Sequence, residues 1–327
     1  MRILRDIAGA TLVVGALSIS LANAQPAHEY PNRPIKLIAP APPGGAYDYV
    51  ARTVADGLQK AWGQPVVVEN RAGAGGVIGV EAAARSPGDG YTLLIGSTGP
   101  FSVSQRLIKN LRYDPVKDFS PIGRIAIMPS YLVVNENVPA KTTEEFVAYA
   151  KAHPGKLSYA STGNGFSQFT NVELLKSMAG LHIVPVSYRG SGPALTDLLG
   201  RQVDMMIELG PQAIPYIKAG KLRVLASTTK KRTDAMPDVP TLDESGVPGF
   251  EASTWFALYA PAGTPPHIVA KLHSEMSRIF STSELKARMA TVGAEVAITS
   301  AQELVTFQAS ETKKWTAVID KAGIQPE

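Results

Sequence analysis

The chain has 327 residues, 45% hydrophobic and 18% charged, which excludes the low-hydropathy, high-charge pattern of disorder. With no cysteine, disulfide scaffolds, thiolate metal sites and cysteine nucleophiles are excluded; a net charge of only +4 without a dense basic run argues against a nucleic-acid partner. At about 150 residues per domain the length predicts two domains.

Residues 1–24 (MRILRDIAGATLVVGALSISLANA) have a basic start at Arg2 and Arg5, an apolar stretch, and Ala22-Asn23-Ala24 as a small–x–small site. This is the tripartite pattern of a secretory signal, and cleavage after Ala24 is expected. The apolar run is too short, and too interrupted by Ser18 and Ser20, for a bilayer span.

From Ile35 onward short β-rich runs alternate with helical ones. IKLIAP (35–40) reads as a strand that ends in PPGG (42–45). A helix is predicted over Ala46 to Trp62, because Tyr47, Val50, Val54 and Leu58 fall on one face. Strands follow at 66–70 and 92–97, separated by a glycine-rich turn and a helix to about Arg85. GRIAIM (123–128) is a strand before Pro129, and YLVV (131–134) is another. Then come a helix at 143–152, a strand at 157–161, a helix to Met178, a strand at 182–187 and a helix to Leu199. Strands at 203–208 and 222–227 complete the run, TWFALYAP (254–261) connects back, and the remainder is mostly helical around EVAI (295–298). Such alternation predicts mainly parallel, doubly wound sheets with helices on both faces.

In such sheets ligands sit beyond the carboxyl ends of strands. Two strand–turn–helix units share one design there: IAPAPPGGAYDYVART (38–53) and YASTGNGFSQFTNVELL (159–175). Each turn opens a helix, whose unpaired N–H groups and partial positive charge suit a carboxylate or phosphate. The alternative reading, that both turns only connect elements and Asp48 only supports its helix, stays open. Ala41, Pro43, Gly44, Gly45, Ala46, Tyr47 and Asp48 are the candidates in the first turn. Those in the second are Ser161, Thr162, Gly163, Asn164, Gly165, Phe166, Ser167 and Phe169. Ser97 and Thr98 end a neighbouring strand, and Tyr188 and Arg189 end another, with Arg189 read as a solvated side chain. The cluster NRAGAGGVIG (70–79) fails as a dinucleotide fingerprint because Ile78 stands where GxGxxG needs glycine, so a packing or turn role is expected. No GxSxG, HExxH or P-loop motif occurs, and the five histidines do not cluster at ligand spacing. No catalysis, cofactor or metal is expected.

Taken together, YPNRPIKLIAPAPPGGAYDYVART, GQPVVVENRAGAGGVIGVEAAARSPGDGYTLLIGS, VSYRGSGPALTDLLGRQVD and VPTLDESGVPGFEASTWFALYAPAGTP resemble the Bug proteins, the TctC-type receptors of tripartite tricarboxylate transporters. The resemblance covers essentially the whole chain after the leader. It implies a two-domain, type II periplasmic-binding-protein fold whose α/β domains close over a small organic acid in the cleft between them. It also implies a periplasmic monomer that delivers its ligand to large and small membrane permease subunits. In the family two helix starts hold the ligand, and they correspond here to Pro43–Asp48 and Ser161–Gly165. The domains are expected to be discontinuous, 29–126 with 255–327 as the first and 127–254 as the second. A sensor handing ligand to a signalling membrane protein, or a periplasmic enzyme, are the alternatives. Two departures bear on the ligand. Ala41 replaces the phenylalanine usual in the first turn, and Phe166 and Phe169 stand where the second usually has a serine-like residue and a histidine. Rings there favour an aromatic acid over a tricarboxylate, unless both face the core.

Overall fold

The computed structural model describes residues 30–163 and 165–326; the expected leader and its cleavage site lie outside them. The first half opens with β1 (Ile35–Ala39), α1 (Ala46–Trp62) and β2 (Val66–Asn70). The α1 bounds are those that the apolar period predicts. Gly63 ends the helix in the left-handed conformation at φ 66°, which glycine adopts without steric cost. A 3₁₀ turn at Ala74–Gly76 then leads into α2 (Val77–Ala84) and β3 (Thr92–Ser97). A π-helical segment, Gly99–Val103, and α3 (Ser104–Leu107) follow.

β4 (Phe119–Val134) is one strand of 16 residues where two were expected. Pro129 does not break it because the strand changes partners there. Residues 119–129 pair with β9 (Ser253–Pro261), and residues 130–134 pair with β7 (Met205–Leu209). A missing N–H costs least at such a changeover. The second half continues with α4 (Thr143–Ala152), β5 (Ser158–Ser161), α5 (Ser167–Ala179), β6 (Val184–Ser187) and α6 (Ser191–Leu199). After β7 come α7 (Gly210–Lys218) and β8 (Arg223–Ser227), and the chain returns through β9 to α8 (Pro266–Ser281), α9 (Ser283–Thr291), β10 (Glu295–Val296) and α10 (Ala301–Lys321).

The strand order is β2-β1-β3-β9-β4-β7-β5-β6, with β10 and β8 also on β4. Both flanks are parallel, β2-β1-β3 on one side and β7-β5-β6 on the other. The centre is antiparallel, since β9 pairs with β3 and β4, and β4 with β7 and β8. Alternation along the chain revealed the flanks but not this centre, where strands from distant sequence meet.

Each half has its own core. Ile35, Leu37, Val50, Leu58, Leu272, Met276 and Phe280 are fully buried or nearly so in the first, where α1 and α8 cover the sheet. Leu132, Phe146, Tyr159, Val172, Leu175 and Phe250 fill the second. α10 reaches two cores: Leu304 packs beside Phe101 and Trp255, whereas Trp315 and Ile319 enter the second core.

Candidate functional site

Three strand–turn–helix junctions converge on one cavity of about 660 Å³, counted to its open mouth. They are the starts of α1, α5 and α6. None of the three is closed by a side-chain cap: the N-cap residues are Gly45, Phe166 and Gly190. Among the other helices α4, α9 and α10 are capped by Thr142, Thr282 and Ser300, none of which lines the cavity. The helices α2, α3 and α8 also start without a side-chain cap, as does α7, whose N-cap Leu209 lines the cavity. The first N–H groups of α1, α5 and α6 therefore remain for something other than the chain itself. A helix start favours an anion by about 0.3–1 kcal/mol, and by up to about 2 when partly buried.

In the first turn, Ala41, Pro43, Gly45, Ala46 and Tyr47 line the cavity. Gly44, which is exposed, and Asp48, which is buried, are not on its wall. Asp48 is 6% exposed; its Oδ2 accepts the Gly44 N–H at 3.0 Å and the Arg52 guanidinium at 2.9 Å. Burial works against its charge, but the bonds from Arg52 and Gly44 hold its carboxyl below the usual range. Asp48 thus fixes the turn rather than facing a ligand. Because its folded pKa is depressed, its contribution is complete above the ordinary aspartate range and is lost as pH falls through the folded value. Asp48→Asn should cost about 1–2 kcal/mol at pH 7 and weaken the acid dependence of melting, measured from pH 7 to 3.

Tyr47 joins the two halves. Its hydroxyl bonds Ser97 at the end of β3, and its ring meets Phe256 edge-on at 5.1 Å and Phe166 at 5.6 Å. Burial pushes the hydroxyl far above its ordinary value, offset only in part by the Ser97 bond, so it stays a neutral donor. Ser97 lines the cavity, while Thr98 is spent on the Trp255 N–H at 3.1 Å.

In the second turn, Thr162, Phe166 and Ser167 line the cavity. Ser161 lies beneath it, accepting the Gly163 N–H at 3.3 Å, and Gly163 is not on the cavity wall. Gly165 packs against Gly75 and Gly99 of the first half instead of lining the cavity. Asn164 lies outside the described residues. The two phenylalanines part company: Phe166 is half-buried on the cavity, whereas Phe169 is 9% exposed within the second core. Tyr188 is also away from the cavity, its hydroxyl donating to Asp197 at 2.9 Å. Phe169→Ala is accordingly expected to cost about 3–5 kcal/mol in urea melts while leaving ligand selectivity unchanged.

Several lining residues were not singled out in the sequence. Gly190, Ser191, Gly192 and Pro193 open α6 beside Arg189, and Gln168 follows Ser167. RGSG carries the same strand-to-helix signature as the other two turns, so it was findable. Leu209 from β7 and Thr254 from β9 give no local signal. The hydroxyls of Thr162 and Thr254 are buried without a hydrogen-bond partner, an unusual state for polar groups and one that a bound polar ligand would relieve. Gln212 reaches across to the Gly44 carbonyl at 3.3 Å. Among the described residues no cluster of three or more histidine or acidic side chains could hold a metal, and no helix is long and apolar enough to cross a membrane.

Residues 50–324 match the family described as "Tripartite tricarboxylate transporter family receptor". The chain belongs to that family. It is 38% identical to Protein BugT of Bordetella pertussis over 314 residues, 95% of this chain and 96% of that one. Among solved structures it resembles R. palustris Rpa4515 with adipate, with a TM-score of 0.89 and 34% identity over 91% of this chain and all of that one. MatC of Rhodopseudomonas palustris with bound malate gives 0.84 and 33%, covering 89% of this chain and all of the other. The periplasmic binding protein BugD gives 0.87 and 35%, covering 91% and all. The two-half α/β architecture is therefore that of the periplasmic binding proteins in this family.

Proposed function

We propose that this protein is a periplasmic receptor that captures a small organic anion and passes it to the membrane permeases of a tripartite-type transporter, without chemistry on the ligand. The observation that carries this reading is the convergence of three uncapped helix starts on one cavity. Backbone N–H groups from opposite halves can clamp a carboxylate as the halves close. In this reading the halves are domains, about 30–126 with 255–327 and 127–254, and β4 and β9 are the crossovers that bend. Malate and adipate in the family relatives are carboxylates of the size such a cavity takes.

Part of the cavity lining is apolar. Ala41, Phe166, Pro193 and Leu209 supply it, with Tyr47 edge-on to Phe166. A flat ligand body would gain area burial there and about 0.5–1.5 kcal/mol from ring geometry. The preferred ligand is therefore an acid with an apolar or aromatic body. Phe166 alone now supports it, because Phe169 faces the core.

Thermal-shift and calorimetric titration with benzoate-type acids, linear dicarboxylates and citrate tests the reading. A ligand at 100 times its Kd should stabilise the fold by about 2.7 kcal/mol. Failure of every acid to shift the melt would refute it. Arg189 is exposed at the cavity rim, and among the described residues it makes no ion pair. Arg189→Ala should cost about 1 kcal/mol or less of affinity, as for a screened surface charge. Loss of all binding in that variant would mean that a salt bridge, not the helix starts, holds the carboxylate.

A further inference from the structure

Glu208 is fully buried on β7, directly before the lining residue Leu209, and no cation pairs with it among the described residues. Its Oε1 accepts the Leu209 N–H at 2.7 Å and the Gln168 amide at 2.9 Å, while its Oε2 has no partner. Gln168 is the second residue of α5, 6% exposed, and lines the cavity. Its amide nitrogen is committed to Glu208 and, at 3.4 Å, to the Ser191 hydroxyl. Its carbonyl oxygen receives only a long 3.4 Å contact from the Ser167 hydroxyl. An apolar neighbour at 208 would let the amide turn and offer its NH₂ to the cavity. The Glu208 Oε1 already accepts the Leu209 N–H, so turning the amide would set the Gln168 carbonyl against an accepting oxygen. Gln168 is thereby left presenting an acceptor among helix starts that present donors.

We propose that Glu208 positions the Gln168 amide so that its carbonyl oxygen selects ligands carrying an O–H or N–H donor beside their carboxylate. This rests on the organic-acid reading above and narrows it. Burial pushes the Glu208 carboxyl up from its ordinary value, against the bonds that Leu209 and Gln168 donate to it. The side-chain carbonyl oxygen of a glutamine at 208 can accept the same two bonds. Glu208 is thus a positioning residue and Gln168 the specificity-determining one.

Calorimetry with matched acids provides the test: succinate against malate and aspartate, and benzoate against its three monohydroxy isomers. The best donor-bearing member should bind about tenfold or more tighter than its parent, the value of one well-made hydrogen bond. Gln168→Leu and Glu208→Leu should each compress that ratio to about twofold or less, while Glu208→Gln keeps it, with melting curves confirming folded protein. Equal binding of parent and donor-bearing acids, or a preference that survives Glu208→Leu, would overturn the inference. If no acid binds at all, the proposed function itself fails; if acids bind without preference, only this inference does.

Discussion

Replacing Gly165 by alanine should leave the protein folded and lower its ligand affinity by about a hundredfold, the factor expected when the binding-competent form falls to about 1%. Gly165, in the turn before α5, lies against Gly75 and Gly99 of the other half. A Cβ on Gly165 would stand 2.5 Å from the Gly75 carbonyl oxygen and 2.9 Å from its Cα. A Cβ on Gly99 would likewise collide with the Gly165 carbonyl. These neighbours are backbone, so no rotamer change relieves the clash and the halves must part. Parting them separates the α1 and α5 starts and takes Phe166 from Tyr47. The variant should melt like the wild type without ligand, lose the ligand-induced rise in Tm, and scatter as a more extended particle. Wild-type affinity in Gly165→Ala would show that the glycine contact does not control access to the bound form. The contact also gives NRAGAGG a packing role, with Gly75 against Gly165.

Phe101→Ala is expected to cost about 3–5 kcal/mol of stability in urea melts. Phe101 sits fully buried in the π-helical segment, stacked on Tyr259 at 4.1 Å and close to Phe119 and Trp255. Around it Tyr113 donates to the Pro100 carbonyl at 2.8 Å, and Tyr259 donates to Gln308 of α10 at 2.7 Å. Truncation would empty the centre of this cluster and loosen the chain that presents Gly99. Affinity should fall with stability, whereas Gly165→Ala should separate the two. A loss below about 1 kcal/mol would mean that the cluster closes over the gap.

Some elements were legible because their signals are local. The α1 stripe of Tyr47, Val50, Val54 and Leu58 sets both its register and its buried face, and Gly63 stops it. The helix at 143–152 falls where expected, with Thr142 accepting the Glu145 N–H as its cap. α7 was missed, since of the two prolines among its nine residues Pro215 lies in its interior and argues against a helix. The continuity of β4 was hidden because a proline is tolerated only when the neighbouring strands are known.

The site divides in the same way. Glycine-bearing turns after β1 and β5 announced two helix starts, because a tight turn into a helix leaves N–H groups unpaired wherever the chain then goes. Phe166 and Phe169 were indistinguishable as residues. The packing of α5 sends one to the cavity and the other to the core. Glu208 read only as the end of a buried strand, and its grip on Gln168 spans 40 positions of chain. By itself, the sequence determined the family, the alternating elements and two of the helix starts, all of which are written in short windows of residue type and spacing. The tertiary structure decided the antiparallel centre, the glycine contact between the halves and the acceptor at Gln168. Those depend on which distant backbone and side-chain groups come within hydrogen-bonding or van der Waals reach, a property of packing in space that no local window contains.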